Sequence, residues 1–261
     1  MKKWLLLGVV IILMASVGCR GTTSIPASKD AKPTLEAWLA AAKSLESLQE
    51  DYKGTIDIAT KGATQSTVIT MEGKLHAKGS ERLDEVTITT GTTKQEIKQY
   101  LFQDKVFIAT LVNGQWTARE ATPSIYFNDK ETQAEFESLL KNNALLSVAK
   151  VERRLVSGEE CDEVKFSADL AKFSQEDKKF LLYSSGLSTI PDVDAYVDAI
   201  KSFDIRLCLL PSGVALESEV ILELNPDVVP PNGIVSARVV TTITHYEINP
   251  AIPDSFFNLP S

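Results

Sequence analysis

Few residues in this chain have the types and spacing that chemistry needs. His76 and His245 are the only histidines. Each sits inside an alternating strand pattern with no third ligand at suitable spacing, so a zinc site is not indicated. Asp192, Asp194 and Asp198 superficially resemble a calcium loop but lack its obligatory glycine. They read better as acids at a helix start, where the dipole favours them. Ser184-Ser185-Gly186 departs from the G-x-S-x-G spacing of a nucleophile elbow, and no histidine follows in a partner context. Glycine loops that cradle phosphate do not occur in the sequence. The 35 acidic residues contain many pairs, but no spacing singles out two for glycoside chemistry. The expectation is a protein that is not an enzyme and that uses no metal and no cofactor.

The compartment is better specified than any activity. Lys2 and Lys3 precede an uncharged run from Trp4 to Val17, which ends in Ser16-Val17-Gly18. That run, about 14 residues, is shorter than the ~20 that span a bilayer. A basic start, a short apolar stretch and small residues before a cut make residues 1–18 a secretory signal peptide. Cys19, directly after Gly18, resembles the lipobox of bacterial and archaeal lipoproteins, although Ser16 stands where that family prefers leucine. The resemblance implies lipid attachment at Cys19 after cleavage, which anchors the chain in a membrane. An uncleaved anchor or a plain secreted product are the alternatives. Residues 19–33 are then a lipidated cysteine followed by a small, polar, Pro-containing tether.

Cys161 and Cys208 remain as an even pair, and in an oxidising compartment a disulfide is their default reading. It would close a loop of about 47 residues, worth roughly 4 kcal/mol in the chain-entropy model. Two buried free thiols are the alternative. The formal charge of −8 becomes more negative once Lys2 and Lys3 are removed. An acidic surface repels phosphate backbones and anionic headgroups, which excludes nucleic acid as a partner and leaves membrane contact to the lipid.

The elements follow from periodicity. Leu35, Trp38, Leu39, Ala42, Leu45 and Leu48 form one helical stripe after Thr34, with Lys43, Glu46, Gln49 and Glu50 elsewhere. From Tyr52 the period becomes two, and six short strands reach Arg119 through tight polar turns; Asn113-Gly114 is the strongest hairpin signal. Val106-Phe107-Ile108-Ala109 does not alternate, so it should be central and covered on both faces. A loop at 121–128 and a helix from Asn128 or Asp129 through Leu140, extending to Leu145-Leu146, come next. Strands at 147–156 and 162–166 precede helices at 174–183 and 192–203. Strands at 204–210, 215–224 and 234–248 close the domain, the last long enough to run the full height of the sheet and bend.

This order, with the closing phrase Asn249-Pro-Ala-Ile-Pro-Asp-Ser-Phe256-Phe257-Asn-Leu-Pro260, looks like the LolA/LolB-type lipoprotein-carrier superfamily. The resemblance covers about residues 33–260. It implies an α+β fold for residues 34–261: a curved antiparallel sheet of about eleven strands, an incomplete barrel, with three to four helices covering the concave side. It also implies an apolar cavity for acyl chains, with no ligand-binding residue carried over. The leading expectation is a membrane-anchored extracytoplasmic lipoprotein that binds or shuttles an acyl-chain ligand or an acylated lipoprotein. A structural or protein-interaction role in the cell envelope, with no small-molecule ligand, is the alternative.

Overall fold

A computed structural model of the chain describes residues 31–102, 105–112, 114–120, 146–182, 185 and 193–260. The signal peptide, Cys19, most of the tether, the 121–128 loop, the helix expected after it and most of the 184–190 loop lie outside the described residues. The first helix, α1 (Ala31–Ala42), is followed by six strands. These are β1 (Ser47–Thr60), β2 (Thr67–Lys78), β3 (Glu81–Thr90), β4 (Thr93–Phe102), β5 (Lys105–Val112) and β6 (Gln115–Glu120). Then come β7 (Leu146–Val156), β8 (Glu159–Ala168), α2 (Gln175–Leu182) and α3 (Asp194–Val197). The strands β9 (Ile200–Leu209), β10 (Ala215–Leu224) and β11 (Ile234–Ile248) complete the set.

All strands join one open antiparallel sheet in the order β6-β5-β4-β3-β2-β1-β11-β10-β9-β8-β7. Each half is a meander, one running outward from β1 and one inward to β11, and the two halves meet where β1 pairs with β11. Short turns set this registry. Two-residue loops separate Lys78 from Glu81, Thr90 from Thr93 and Val156 from Glu159. At the last of these Ser157 and Gly158 both have positive φ, 53° and 88°, the backbone of a type I′ turn that matches strand twist. The long β11 carries two register shifts against β1, at Thr244 and Val235, and bulges of this kind bend a strand.

Three expectations change. The first helix stops at Ala42, where Lys43 makes the last i−4 bond and Leu45 only an i−3 bond. Leu48 therefore belongs to β1, paired with Ala77 and Ile248, because cross-strand pairing captures the chain from Ser47 onward. The helix expected at 192–203 shrinks to four residues, and β9 begins at Ile200, paired with Leu224. Tyr196, Ile200 and Phe203 are spaced like a helix stripe, yet Ile200 is only half-buried and from Phe203 burial runs at period two through Ile205 and Leu207. Finally, β5 is second from the edge, not central. It is still covered on both faces: Val106 and Ile108 face one apolar cluster and Ala109 another.

Candidate functional site

Strand alternation gives the sheet two faces of different chemistry. The inner face collects Ile56, Ile69, Met71, Val86, Ile88, Ile97, Val106 and Ile108 from one half and Val164, Phe166, Phe203, Ile205, Leu222 and Val239 from the other. All belong to a single apolar cluster that also takes Leu35, Trp38 and Ala42 of α1. The main sheet contacts of α1 are with β7 and β8. This buried apolar cluster thus runs across the seam between the two meanders, in a sheet whose edges do not close.

One level of that face is polar. Cross-strand register aligns Tyr246, Glu50, Leu75, Asp84 and Gln99 on β11, β1, β2, β3 and β4. Glu50 is 3% exposed and Asp84 6%. The Tyr52 hydroxyl donates to Asp84 Oδ1 at 2.8 Å, lying across Gly73, where an added Cβ would meet the Tyr52 ring at 2.3 Å. Glycine is needed there for space. Burial pushes Glu50 up to about 7, opposed by the charge of Arg82 and reinforced by Asp84. Burial likewise raises Asp84 to about 6, against the pull of Arg82 and the Tyr52 bond. The phenol of Tyr52 is raised well above its ordinary value by burial and by the Asp84 charge. Glu50 Oε2 has no hydrogen-bond partner.

The outer face is a charge ladder. A groove of about 460 Å³ crosses β1–β4 there, lined by Asp51, Lys53, Glu72, Lys74, Glu85 and Lys98, with Trp116 at one side. Its lysines are paired: Lys53 with Glu72 at 3.1 Å, Lys74 with Asp51 at 3.5 Å and Lys98 with Glu85 at 2.5 Å. Lys98 also stands 4.9 Å from the Trp116 ring centre. This groove is charged and lies on the face opposite the helix-covered one where the sequence placed an apolar hollow. Beyond it the closing segment folds over the outer face. The side chain of Asn249, at φ 55°, accepts from the backbone of Glu46 and Ser47, while Ile252 and Phe257 pack on Leu83, Tyr100 and Ala109.

The residues singled out in the sequence are scattered. His76 is buried on β2 beside Phe256, 3.9 Å from Glu85, and burial lowers its proton affinity. His245 is exposed on β11 near Glu247. The two strands are separated by β1. Asp194 pairs with Lys179 at 2.8 Å and Asp198 accepts from Gln175 at 3.0 Å, so both tie α2 to the α3 region; Asp192 lies outside the described residues. Ser185 donates to the carbonyl of Leu181 at 2.7 Å, a local bond with no histidine in it. Among the described residues no group of three metal-ligating side chains converges. Cys161 and Cys208 are joined on neighbouring strands β8 and β9, with Cα atoms 5.4 Å apart. Glu50, Tyr52 and Asp84 were not candidates from sequence. The signal was there: two acids occupy positions in phase with buried residues.

Over residues 30–206 the chain matches the profile of a family described as a family of unknown function, DUF6612. The chain belongs to that family. No curated protein matches this DUF6612 chain. Among solved structures it is similar to LprF from Mycobacterium bovis, at 10% identity and a TM-score of 0.45, covering 87% of this chain and 96% of that one. It is also similar to the lipoprotein LppX from Mycobacterium tuberculosis, at 8% identity and a TM-score of 0.42, covering 85% and 96%. A chain of the Pseudomonas aeruginosa MucA/MucB complex matches at 12% identity and a TM-score of 0.36, covering 88% of this chain and 61% of that one. No helix among the described residues is long and apolar enough to cross a membrane.

Proposed function

We propose that this DUF6612 protein is a membrane-anchored extracytoplasmic lipoprotein that holds the acyl chain of a lipid, or of an acylated protein, against the inner face of its sheet. The observation that carries this reading is the unbroken apolar cluster reaching from Ile108 on β5 to Phe166 on β8 in a sheet that stays open. An acyl chain gains about 0.8 kcal/mol for each buried CH₂, so this face, buried at rest, binds it by area once uncovered and without covalent chemistry. The leader ending at Cys19 supports the anchor, and the Cys161–Cys208 bridge suits an oxidising compartment.

The test uses the Cys19→Ala variant, because it removes covalent lipid from the measurement. It should move from the membrane fraction to the soluble or precursor pool, and extraction of the purified variant should release a lipid identifiable by mass spectrometry. A variant that stays membrane-bound counts against the anchor. A protein that yields no lipid counts against the ligand. The second reading, a protein-interaction role, is favoured by one observation, the outer groove with its paired lysines and Trp116. A lipid-free protein that captures an envelope partner, and loses it on Trp116→Ala, would favour that reading.

A further inference from the structure

The hairpin of β7 and β8 is held in two unlike ways along its length. Pairing of β8 with β9 ends at Asp162 and Leu209, and no described strand pairs with the far edge of β7. At that level the ribbon is fixed. Cys161 is bridged to Cys208 on β9, and Arg154, opposite Cys161 on β7, reaches Glu163 at 3.0 Å and Glu217 of β10 at 2.5 Å. Past this base the two strands pair only with each other, as an arm of residues 155–160 that turns at Ser157-Gly158. At the rise of a strand the arm reaches roughly 10 Å.

The tip of the arm lands on β11. Ser157 Oγ donates to the carbonyl of Ile243 at 3.2 Å, and the Tyr246 hydroxyl donates to Glu159 Oε2 at 2.9 Å. Pairing of β10 with β11 stops at Glu217 and Thr242, so from Ile243 onward the arm occupies the side of β11 that β10 has left. Ile243 and Tyr246 stand opposite Tyr52 and Glu50, inner-face positions of β1. Beside the latch, Val156 is 6% exposed and belongs to the same apolar cluster as Ile243, Leu45 and Leu48. Among the described residues no strand pairing ties the arm to β11. Local opening in proteins follows segments whose buried contacts are few, and here those segments are the tip and not the base.

We propose that the 155–160 arm is a flap that lifts to admit an acyl chain to the apolar interior, pivoting at the Cys161–Cys208 bridge and latched by Ser157 and Tyr246. This rests on the lipid-binding reading and names how a face buried at rest is uncovered. Lifting the tip withdraws Val156 from the cluster and bares Ile243 without unpairing any two strands of the sheet. The bridge decides what moves: with Cys161 tied to Cys208, the arm swings while β8 stays on β9.

The delipidated Cys19→Ala protein is mixed in a stopped flow with N-phenyl-1-naphthylamine, an apolar probe, and the rate of its fluorescence rise is read. Uptake waits on opening, so the rate follows the fraction of protein with the flap lifted. Ser157→Gly removes the latch hydroxyl at a backbone φ of 53° that suits glycine, and Tyr246→Phe removes only the phenol oxygen. Uptake is expected to quicken about threefold in Ser157→Gly and about tenfold in Tyr246→Phe, whose bond is to a carboxylate. Lys78→Met, which cuts the tie of the closing segment at Asp254 in the other meander, should take up the probe at the wild-type rate. A rate unchanged in Tyr246→Phe while uptake persists leaves the lipid reading standing and overturns the flap. Equal acceleration in Lys78→Met also overturns it, because uptake would then follow general loosening. No uptake by any of these proteins overturns both readings.

Discussion

Glu163 on the outer face of this sheet and Glu50 and Asp84 on its inner face are shifted in opposite directions. On the outer face burial opposes ionisation of Glu163, and hydrogen bonds from Lys165 and Arg154 outweigh it, so its carboxyl lies below the ordinary value. On the inner face burial wins: Glu50 rises to about 7 and Asp84 to about 6. Two causes separate them: desolvation is the largest influence on Glu50 and Asp84, whereas the hydrogen bonds and charges of Lys165 and Arg154 together outweigh it at Glu163. The outer face is built to hold fixed charge and gains rigidity from it. The inner face keeps two acids under-compensated beside an apolar cluster, an arrangement that costs stability.

Gly73→Ala should break the contrast most severely. The new Cβ would stand 2.3 Å from Cζ and Oη of Tyr52 and 2.8 Å from the backbone oxygen of Glu85. The ring would have to leave Asp84, which would then lose the hydrogen bond from Tyr52. Overpacking together with the stranded acid should cost about 3 kcal/mol, read as a lower urea midpoint at unchanged slope. A midpoint within experimental error of wild type would show that the ring is not held over Gly73. Tyr52→Phe in the Gly73→Ala background should then cost little more, because the bond it removes is already gone.

Glu50→Gln should act in the other direction. A group whose pKa is raised on folding binds more protons in the native state, so stability falls as pH rises from the unfolded value toward the folded one. For Glu50 that window runs from 4.5 to about 7, and for Asp84 from 3.8 to about 6. The wild type should therefore lose stability across this range. The variant should be about 2 kcal/mol more stable than wild type near pH 8 and nearly equal to it near pH 4. Denaturant titrations at the two pH values check this; a variant that is less stable at the higher pH would mean that Glu50 is already well compensated.

Most of the sheet was legible because most of its strands obey one rule. Alternation at Ile69, Met71, Gly73, Leu75 and Ala77 and at Val86 and Ile88 marks the inner face residue by residue, and glycine turns mark the hairpins. Legibility failed where two periods coincide. Leu45 and Leu48 continue the α1 stripe in sequence, so Glu50 looked like part of a helix's solvent face. Pairing of β1 from Ser47 turns the same residue inward, into phase with Tyr52 and Ile56. Asp84 was hidden differently: it is one polar residue in a run already known to alternate, and one position's chemistry does not show in a pattern. The outer networks were also out of reach, because Arg154, Glu163 and Glu217 meet only once β7 to β10 are aligned.

Glu163→Gln is the smallest of the three changes and the one that sharpens the contrast. A depressed carboxyl contributes stability that is present above its unfolded value of 4.5 and lost as pH falls through the lower folded value. Substitution should therefore destabilise the protein near pH 7 and make little difference near pH 3, the reverse of Glu50→Gln. Its partners Arg154 and Lys165 are 45% and 38% exposed, so water and salt screen them and the loss should be about 1 kcal/mol. Salt provides the second axis. Raising ionic strength to about 1 M shortens the screening length to ~3 Å and should shrink the effect at Glu163, whose cations reach solvent. The effect at Glu50, sealed in the apolar cluster, should barely move. Equal salt sensitivity at the two sites would mean that solvent reaches the inner acid, and the difference between the faces would then be one of cation number alone.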